Sequence, residues 1–149
     1  MGQFPAGARI PTAKLNDRHV QARQSAGLQS IGNNSETILN WDVIDSIDGI
    51  TWSGGTAVAV PISGLWTVSC TVRWTGNATG YRRIAIYVNS TLFADQAAPA
   101  IPVNHPLNVA FTAYLAAGQT IDARALQTSG GSLGFAVTSR TPNLIITKQ

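Results

Sequence analysis

A chain of 149 residues with 11% charged side chains, one cysteine and a net charge of +3 fits a single domain. The lone Cys70 excludes an internal disulfide, and a globule of this length buries about 68–70% of its unfolded surface without staples. The charge fraction is less than half the usual value of about 25%, so Ser, Thr, Asn and Gln carry the polarity, as suits a protein that packs against copies of itself.

Residues 1 to 19 carry Pro5, Gly7 and Pro11 and show no period. They read as an extended arm with apolar anchors Phe4, Ile10 and Leu15 and basic residues Arg9, Lys14 and Arg18. The net charge belongs to this end of the chain. Residues 1 to 23 set Arg9, Lys14, Arg18 and Arg23 against Asp17 alone, and the remainder balances at six basic and six acidic residues. Basic residues among apolar anchors suit docking on an acidic protein surface. Without interleaved aromatics they make a poor nucleic-acid site, so no nucleic-acid partner is expected. The first residues lack the basic and apolar regions of a signal peptide. No apolar run is long enough to cross a membrane, so a soluble chain with no membrane partner is expected.

Residues 20 to 149 read as one β domain. His19 to Leu28 alternates loosely and gives the first strand. Gly32-Asn33-Asn34-Ser35 is a turn, and Thr37 to Ile44 is the next strand. Asp45 to Gly49 reads as a loop. Asp42, Asp45 and Asp48 stand three apart but lack the spacing of an EF-hand loop, so no metal is expected.

The stretch from 56 to 74 organises the rest. A short strand runs into Pro61, turns at Ser63-Gly64, and a long strand leaves. Trp66, Val68, Cys70, Val72 and Trp74 alternate with Thr67, Ser69, Thr71 and Arg73, which marks a half-buried strand. Cys70 falls on the apolar side and reads as a small buried hydrophobe.

Gly76 to Gly80 is a loop, and Tyr81 to Val88 a strand with Ile84, Ile86 and Val88 inward. Asn89-Ser90 turns the chain. Residues 94 to 105, rich in Ala, Pro and Asn, read as a surface loop. Leu107 to Leu115 alternates again, Ala116 to Gln119 is a tight turn, and Thr120 to Gln127 is a strand. Ser129 to Ser132 turns into a strand from Leu133 to Thr138. Asn143 to Thr147 closes the domain. Nine or ten short strands with turns between them and no helix make a β-sandwich.

Two departures from alternation point to covered surface. Leu144, Ile145 and Ile146 are consecutive, and Leu126 interrupts the row Asp122, Arg124. A strand with one wet face should alternate. Leu126, Arg124, Ile145, Thr71 and Arg73 are therefore the candidates for a contact between copies. Trp52 and Tyr81, aromatics beside loops, are the weaker candidates for binding a ligand. His19 and His105 lie apart in the chain from any Ser or Cys constellation, and no paired carboxylates or phosphate loop appear. No catalytic residue and no cofactor are expected.

Pro61-Ile-Ser-Gly64-Leu-Trp66 and the alternation after it resemble the Val-Pro-x-x-Gly-x-Tyr/Trp segment of the tumour-necrosis-factor-like and complement globular-head jelly rolls. Ala117-Gly118-Gln119-Thr120-Ile121 resembles their Pro/Ala-Gly-Asp-x-Val turn, with Gln119 in place of Asp, a change expected to remove a loop contact and keep the turn. The strand Ile84 to Val88 before Asn89 resembles their Asn-containing hairpin. Gln29 to Asp42 is similar to the second strand of such modules in bacteriophage virion proteins. The resemblance spans roughly residues 20 to 148.

It implies an all-β, antiparallel jelly-roll β-sandwich of about ten strands that forms a homotrimer, here with the extended N-terminal arm where the family carries a collagen-like stalk. It also implies a structural or adhesive role without chemistry. The expectation is a bacteriophage structural protein, assembled in the host cytoplasm and displayed on the virion as a capsid decoration or minor tail protein. Its arm would dock on other virion proteins such as the major capsid or tail protein. The alternative is a tail adhesion module that binds a receptor or a host-surface glycan.

Overall fold

The computed structural model describes residues 18–25, 29–138 and 140–149. The strands are β1 (His19–Arg23), β2 (Ser30–Ile31), β3 (Thr37–Ile38), β4 (Val43–Asp48), β5 (Ala57–Ala59) and β6 (Gly64–Trp74). They continue as β7 (Tyr81–Val88), β8 (Thr91–Pro99), β9 (His105–Leu115), β10 (Thr120–Gln127), β11 (Leu133–Gly134) and β12 (Asn143–Lys148). Two five-stranded sheets face each other as an antiparallel jelly-roll sandwich. The first runs β4-β1-β12-β6-β9. The second runs β3-β10-β7-β8, with β5 also on β10, and β11-β2 form a small third sheet.

The long alternating strand is the middle of the core. β6 pairs with β12 on one side and, from Gly64↔Leu115 to Trp74↔His105, with β9 on the other. Trp66, Val68, Cys70, Val72 and Trp74 are each 0% exposed, and burying a large apolar side chain contributes roughly 1.5–3 kcal/mol. Ile84, Ile86 and Val88 of β7 and Ile121, Ala123 and Ala125 of β10 face them from the second sheet. Leu144 and Ile146 of β12 and Val20 and Ala22 of β1 complete the floor.

Two buried polar side chains lie in this core with their hydrogen bonds met. Gln127 donates to the Ile31 and Gly131 carbonyls at 2.9 and 2.7 Å and accepts from the Ser129 amide at 2.6 Å. Arg82 is 1% exposed and has no carboxylate partner among the described residues. It donates to the carbonyls of Thr79, Tyr81 and Asn77 and lies 5.9 Å from the Trp74 ring centroid. Burial pulls its pKa down from the usual arginine value. This guanidinium holds the 75–80 loop in place.

Several local expectations differ from the structure. The chain pairs as a strand through Thr91–Pro99, where a loop was expected from 94. β8 is an edge strand held by its backbone register with β7, so it needs no apolar alternation of its own. Asp45 to Asp48 is likewise strand rather than loop, on the opposite edge of the first sheet. Charges on an edge discourage further strand pairing. The run from Thr37 pairs only through Ile38, and Trp41 then bridges Gly55. β1 ends at Arg23 rather than Leu28, and residues 26–28 lie outside the described ones. β11 is two residues, not six. Gln119, expected to leave the turn without a side-chain contact, makes one: its side-chain oxygen accepts from the Ala116 amide at 2.8 Å.

Two bulges place side chains that alternation would misdirect. In β8 the register skips Phe93, and its ring meets Phe111 of β9 with centroids 5.1 Å apart. That contact closes the side of the sandwich between the two edge strands. In β4 the register skips Asp45, which pairs with Arg23 at 2.9 Å.

Two glycines with positive φ separate strain from space. A Cβ on Gly80, at φ +75°, would overlap the Thr128 carbonyl oxygen, whereas one on Gly118, at φ +86°, would meet nothing within 4 Å. Gly118→Ala should lose about 1 kcal/mol of unfolding free energy, and Gly80→Ala clearly more, in urea titrations read by tryptophan fluorescence. Burial pushes the Cys70 thiol pKa up. The native protein should therefore resist a thiol reagent at pH 8 and react fully once denatured, as counted by released thiolate chromophore.

Candidate functional site: the outer face of the first sheet

Turned away from the core, β6 presents Leu65, Thr67, Ser69, Thr71 and Arg73. The registers align these with Tyr114, Thr112, Ala110, Asn108 and Pro106 of β9. On the other side Thr147, Ile145 and Asn143 of β12 stand beside Thr67, Ser69 and Thr71. Across these three strands the outward positions of those rows hold one charge, Arg73. The polar groups already serve one another. Thr67 and Thr112 share a hydrogen bond at 2.8 Å, and Asn108 donates to Thr71 Oγ1 at 2.7 Å. At one end Leu65 and Tyr114, paired across the strands, remain 47% and 70% exposed. Leu92 and Phe93 on the β8 edge are also exposed.

A sheet face left in water normally carries Lys, Glu and other charges. Interface cores are depleted in them. This surface is nearly neutral and internally hydrogen-bonded, which lowers the cost of taking it out of water.

The structure divides the five contact candidates between two surfaces. Thr71, Arg73 and Ile145 share this face, and Ile145 is half-buried on it while its neighbours Leu144 and Ile146 point into the core. Arg124 and Leu126 lie on β10, on the outward side of the second sheet. There Arg124 is engaged within the chain. It pairs with Asp122 at 2.7 Å and Glu36 at 3.7 Å, and it lies 3.9 Å over the Tyr87 ring. The Asp122 hydrogen bond raises its pKa further above the usual arginine value. Arg83 joins the cluster through Glu36 and Asp95. Burial pulls the Arg83 pKa down, and Asp95 with Tyr87 outweighs it, so the net shift is upward. This network pins the segment before β3 to the sheet.

Of the arm candidates only Arg18 lies among the described residues. Its guanidinium donates to the Gly49 carbonyl at 2.6 Å, and its own carbonyl accepts from the Lys148 amide at 2.8 Å. Phe4, Arg9, Ile10, Lys14 and Leu15 lie outside them. His19, where the alternation of the first strand begins in the sequence, is the first residue of β1. Trp52 packs partly buried against the core, and Tyr81 stands exposed on an open apolar shelf with Gly80, Ala97, Ala98 and Pro99.

The sequence did not bring His19 together with a serine, and the structure does. His19 Nε2 lies 2.6 Å from Ser46 Oγ across the β1–β4 pair. The two sit on an open sheet edge, and neither lines the Tyr81 shelf or the small hollow between Gln24 and Val137. Among the described residues no three His, Cys, Asp or Glu side chains gather as a metal site requires. Asp42 instead accepts hydrogen bonds from the Ser25 amide and hydroxyl. The Ser25 hydroxyl bond holds its carboxyl below the usual carboxylate range. This clasp gives its full stabilisation above that range, and loses it as pH falls through the lowered folded value.

No family model matches the chain, and no curated protein matches it in sequence. Solved structures do match in fold. Murine APRIL at pH 8.5 superimposes with a TM-score of 0.67 at 11% identity, covering 89% of this chain and 99% of that one. The same protein at pH 5.0 gives 0.68 with the same identity and coverage. Eiger TNF from S. frugiperda gives 0.61 at 13% identity, covering 90% of this chain and 93% of that one. The chain thus has the fold of a tumour-necrosis-factor-like globular head.

Proposed function

We propose that this chain is a non-enzymatic structural protein that works as a homotrimer, packed through the outer face of its first sheet. One observation carries the reading: the outward rows of β12, β6 and β9 hold a single charge. A ring of three copies buries such a face by meeting it with an edge of the next copy. The exposed Leu92 and Phe93 on the β8 edge are the complementary apolar element. The resemblance of the sequence to trimeric jelly rolls supports the same number of copies.

The place of the trimer, in this reading, is the surface of a bacteriophage virion, as a capsid decoration or minor tail protein. The basic N-terminal arm docks it on an acidic protein surface. Support for the virion comes from the resemblance of residues 29 to 42 to phage modules, and for docking from the concentration of basic residues before residue 24.

A second reading, adhesion to a host glycan, is favoured by the exposed Tyr81 on its apolar shelf. An aromatic ring with a free face and a polar tip suits a sugar.

The solution mass by light scattering should equal three chains, and a single-chain mass would sink the trimer. Ile145→Asp should yield single chains with an unchanged circular-dichroism spectrum, because it places charge on the contact and none in the core. Removing residues 1–17 should leave the mass per subunit assembly at three chains but abolish incorporation into particles. Binding of labelled trimer to a glycan array, lost in Tyr81→Ala, would move the weight to the second reading.

A further inference from the structure

The small hollow between Gln24 and Val137 belongs to neither reading above. It measures about 160 Å³, room for about five waters at about 30 Å³ each. Drug-sized ligands occupy about 300–1,000 Å³, so this space suits one small ring. Gln24, Gln29, Ser30, Gly134, Phe135 and Val137 line it together with Ser25. Residues 26–28 lie outside the described ones, and none of these groups belongs to them.

Its polar side is fixed by a relay of amides. The Asn40 amide donates to Gln29 Oε1 at 3.0 Å, and Gln29 Nε2 donates to the Ile38 carbonyl at 2.7 Å. That fixes which end of the Gln29 amide is oxygen. Gln24 Nε2 donates to the same Oε1 at 3.0 Å. Gln24 is 1% exposed, and its Oε1 accepts no hydrogen bond among the described residues. An acceptor so deeply placed and unpaired is uncommon. The Ser30 hydroxyl likewise makes no hydrogen bond among them. Phe135 and Val137 make the rest of the lining apolar. The Phe135 ring is held against Trp74 with centroids 4.8 Å apart, and the Ala136 amide donates to the Arg73 carbonyl at 2.7 Å, so that wall is fixed too. No charged side chain lines the hollow. Asp42, bonded to Ser25, stands outside it.

A fixed acceptor, an unbonded hydroxyl and an aromatic beside an aliphatic wall suit a ligand with hydroxyl donors on one edge and an apolar face. We propose that the hollow binds a single ring of a neutral sugar, its hydroxyls on Gln24 Oε1 and Ser30 and its C–H face on Phe135 and Val137. A ligand without donors would expel water and leave the Gln24 oxygen unpaired, which is costly. An acidic sugar would bring a charge that nothing in the lining answers. The site shares no lining residue with the Tyr81 shelf, and it requires neither the shelf nor the trimer.

The test is saturation-transfer NMR of the full chain with glucose, galactose, mannose and N-acetylglucosamine in turn, and with sialic acid as the acidic comparison. At least one neutral sugar should take up saturation, with an affinity that salt leaves unchanged. A Cβ on Gly134 would meet only the Gln29 carbonyl oxygen, at 3.9 Å. Gly134→Val should therefore fill the hollow with the circular-dichroism spectrum intact and abolish the signal. Gln24→Met keeps the shape, removes the acceptor and should weaken binding by about tenfold. Tyr81→Ala should leave this signal unchanged. If no neutral sugar takes up saturation, the site is overturned. A signal at full strength in a folded Gly134→Val or in Gln24→Met overturns it as well. So does a preference for sialic acid. A signal lost in Tyr81→Ala and kept in the other two moves the sugar to the shelf and ends this proposal. Should Gly134→Val lose the native spectrum, Gln24→Met decides alone.

Discussion

The rest of the molecule depends on one constraint: β6 must turn every second side chain into the core for eleven residues without a break. Trp66 and Trp74 set the two ends of that row, and Val68, Cys70 and Val72 fill between them. The strand lies between β12 and β9. A slip of one residue would turn both tryptophans to the outside and the threonines inward. The outer face has its character for the same reason. With the large apolar groups committed to the core, Thr67, Ser69 and Thr71 are what remain for the other side. The surface that buries the core and the polar surface on its back are two sides of one pattern.

Charge is distributed with the same economy. The second sheet carries a closed ionic cluster of Glu36, Arg83, Asp95, Asp122 and Arg124 on its outward side. Asp42, Asp45 and Asp48 lie on or beside the far edge of the first sheet. β9 carries none. A protein with few charges could scatter them; here the acidic ones among the described residues are kept off the outward rows of β12, β6 and β9.

Wherever side chains alternate, the fold was legible in the sequence. β6, β7, β9, β10 and β12 each bury every second residue, and their limits follow from that period. β8 was hidden because an edge strand is defined by its neighbour's hydrogen bonds and not by its own apolar residues, so Ala97, Ala98 and Pro99 look like loop. β4 was hidden in the same way by Asp45 and Asp48, whose acidity is a property of edges as much as of loops. Ile145 stood out in the sequence by breaking alternation, and the registers place it on one face with Thr71 and Arg73. The ionic cluster around Arg124 was not legible, because the pairing of Glu36 with residues more than forty positions away leaves no local trace. The His19–Ser46 contact was equally invisible, since it depends on the bulge at Asp45.

The position of β12 has a consequence for the order in which the sheet can be made. It lies between β1 and β6, so the most C-terminal strand fills an interior slot rather than an edge. Until it arrives, β1 with β4 and β6 with β9 are separate pieces, each with an open side and an uncovered apolar floor. A chain growing from the ribosome at about 5–20 residues per second therefore cannot seal its core progressively. A copy without β12 lacks a central plank, and it stays a client for chaperones and proteases instead of a slightly weaker native molecule.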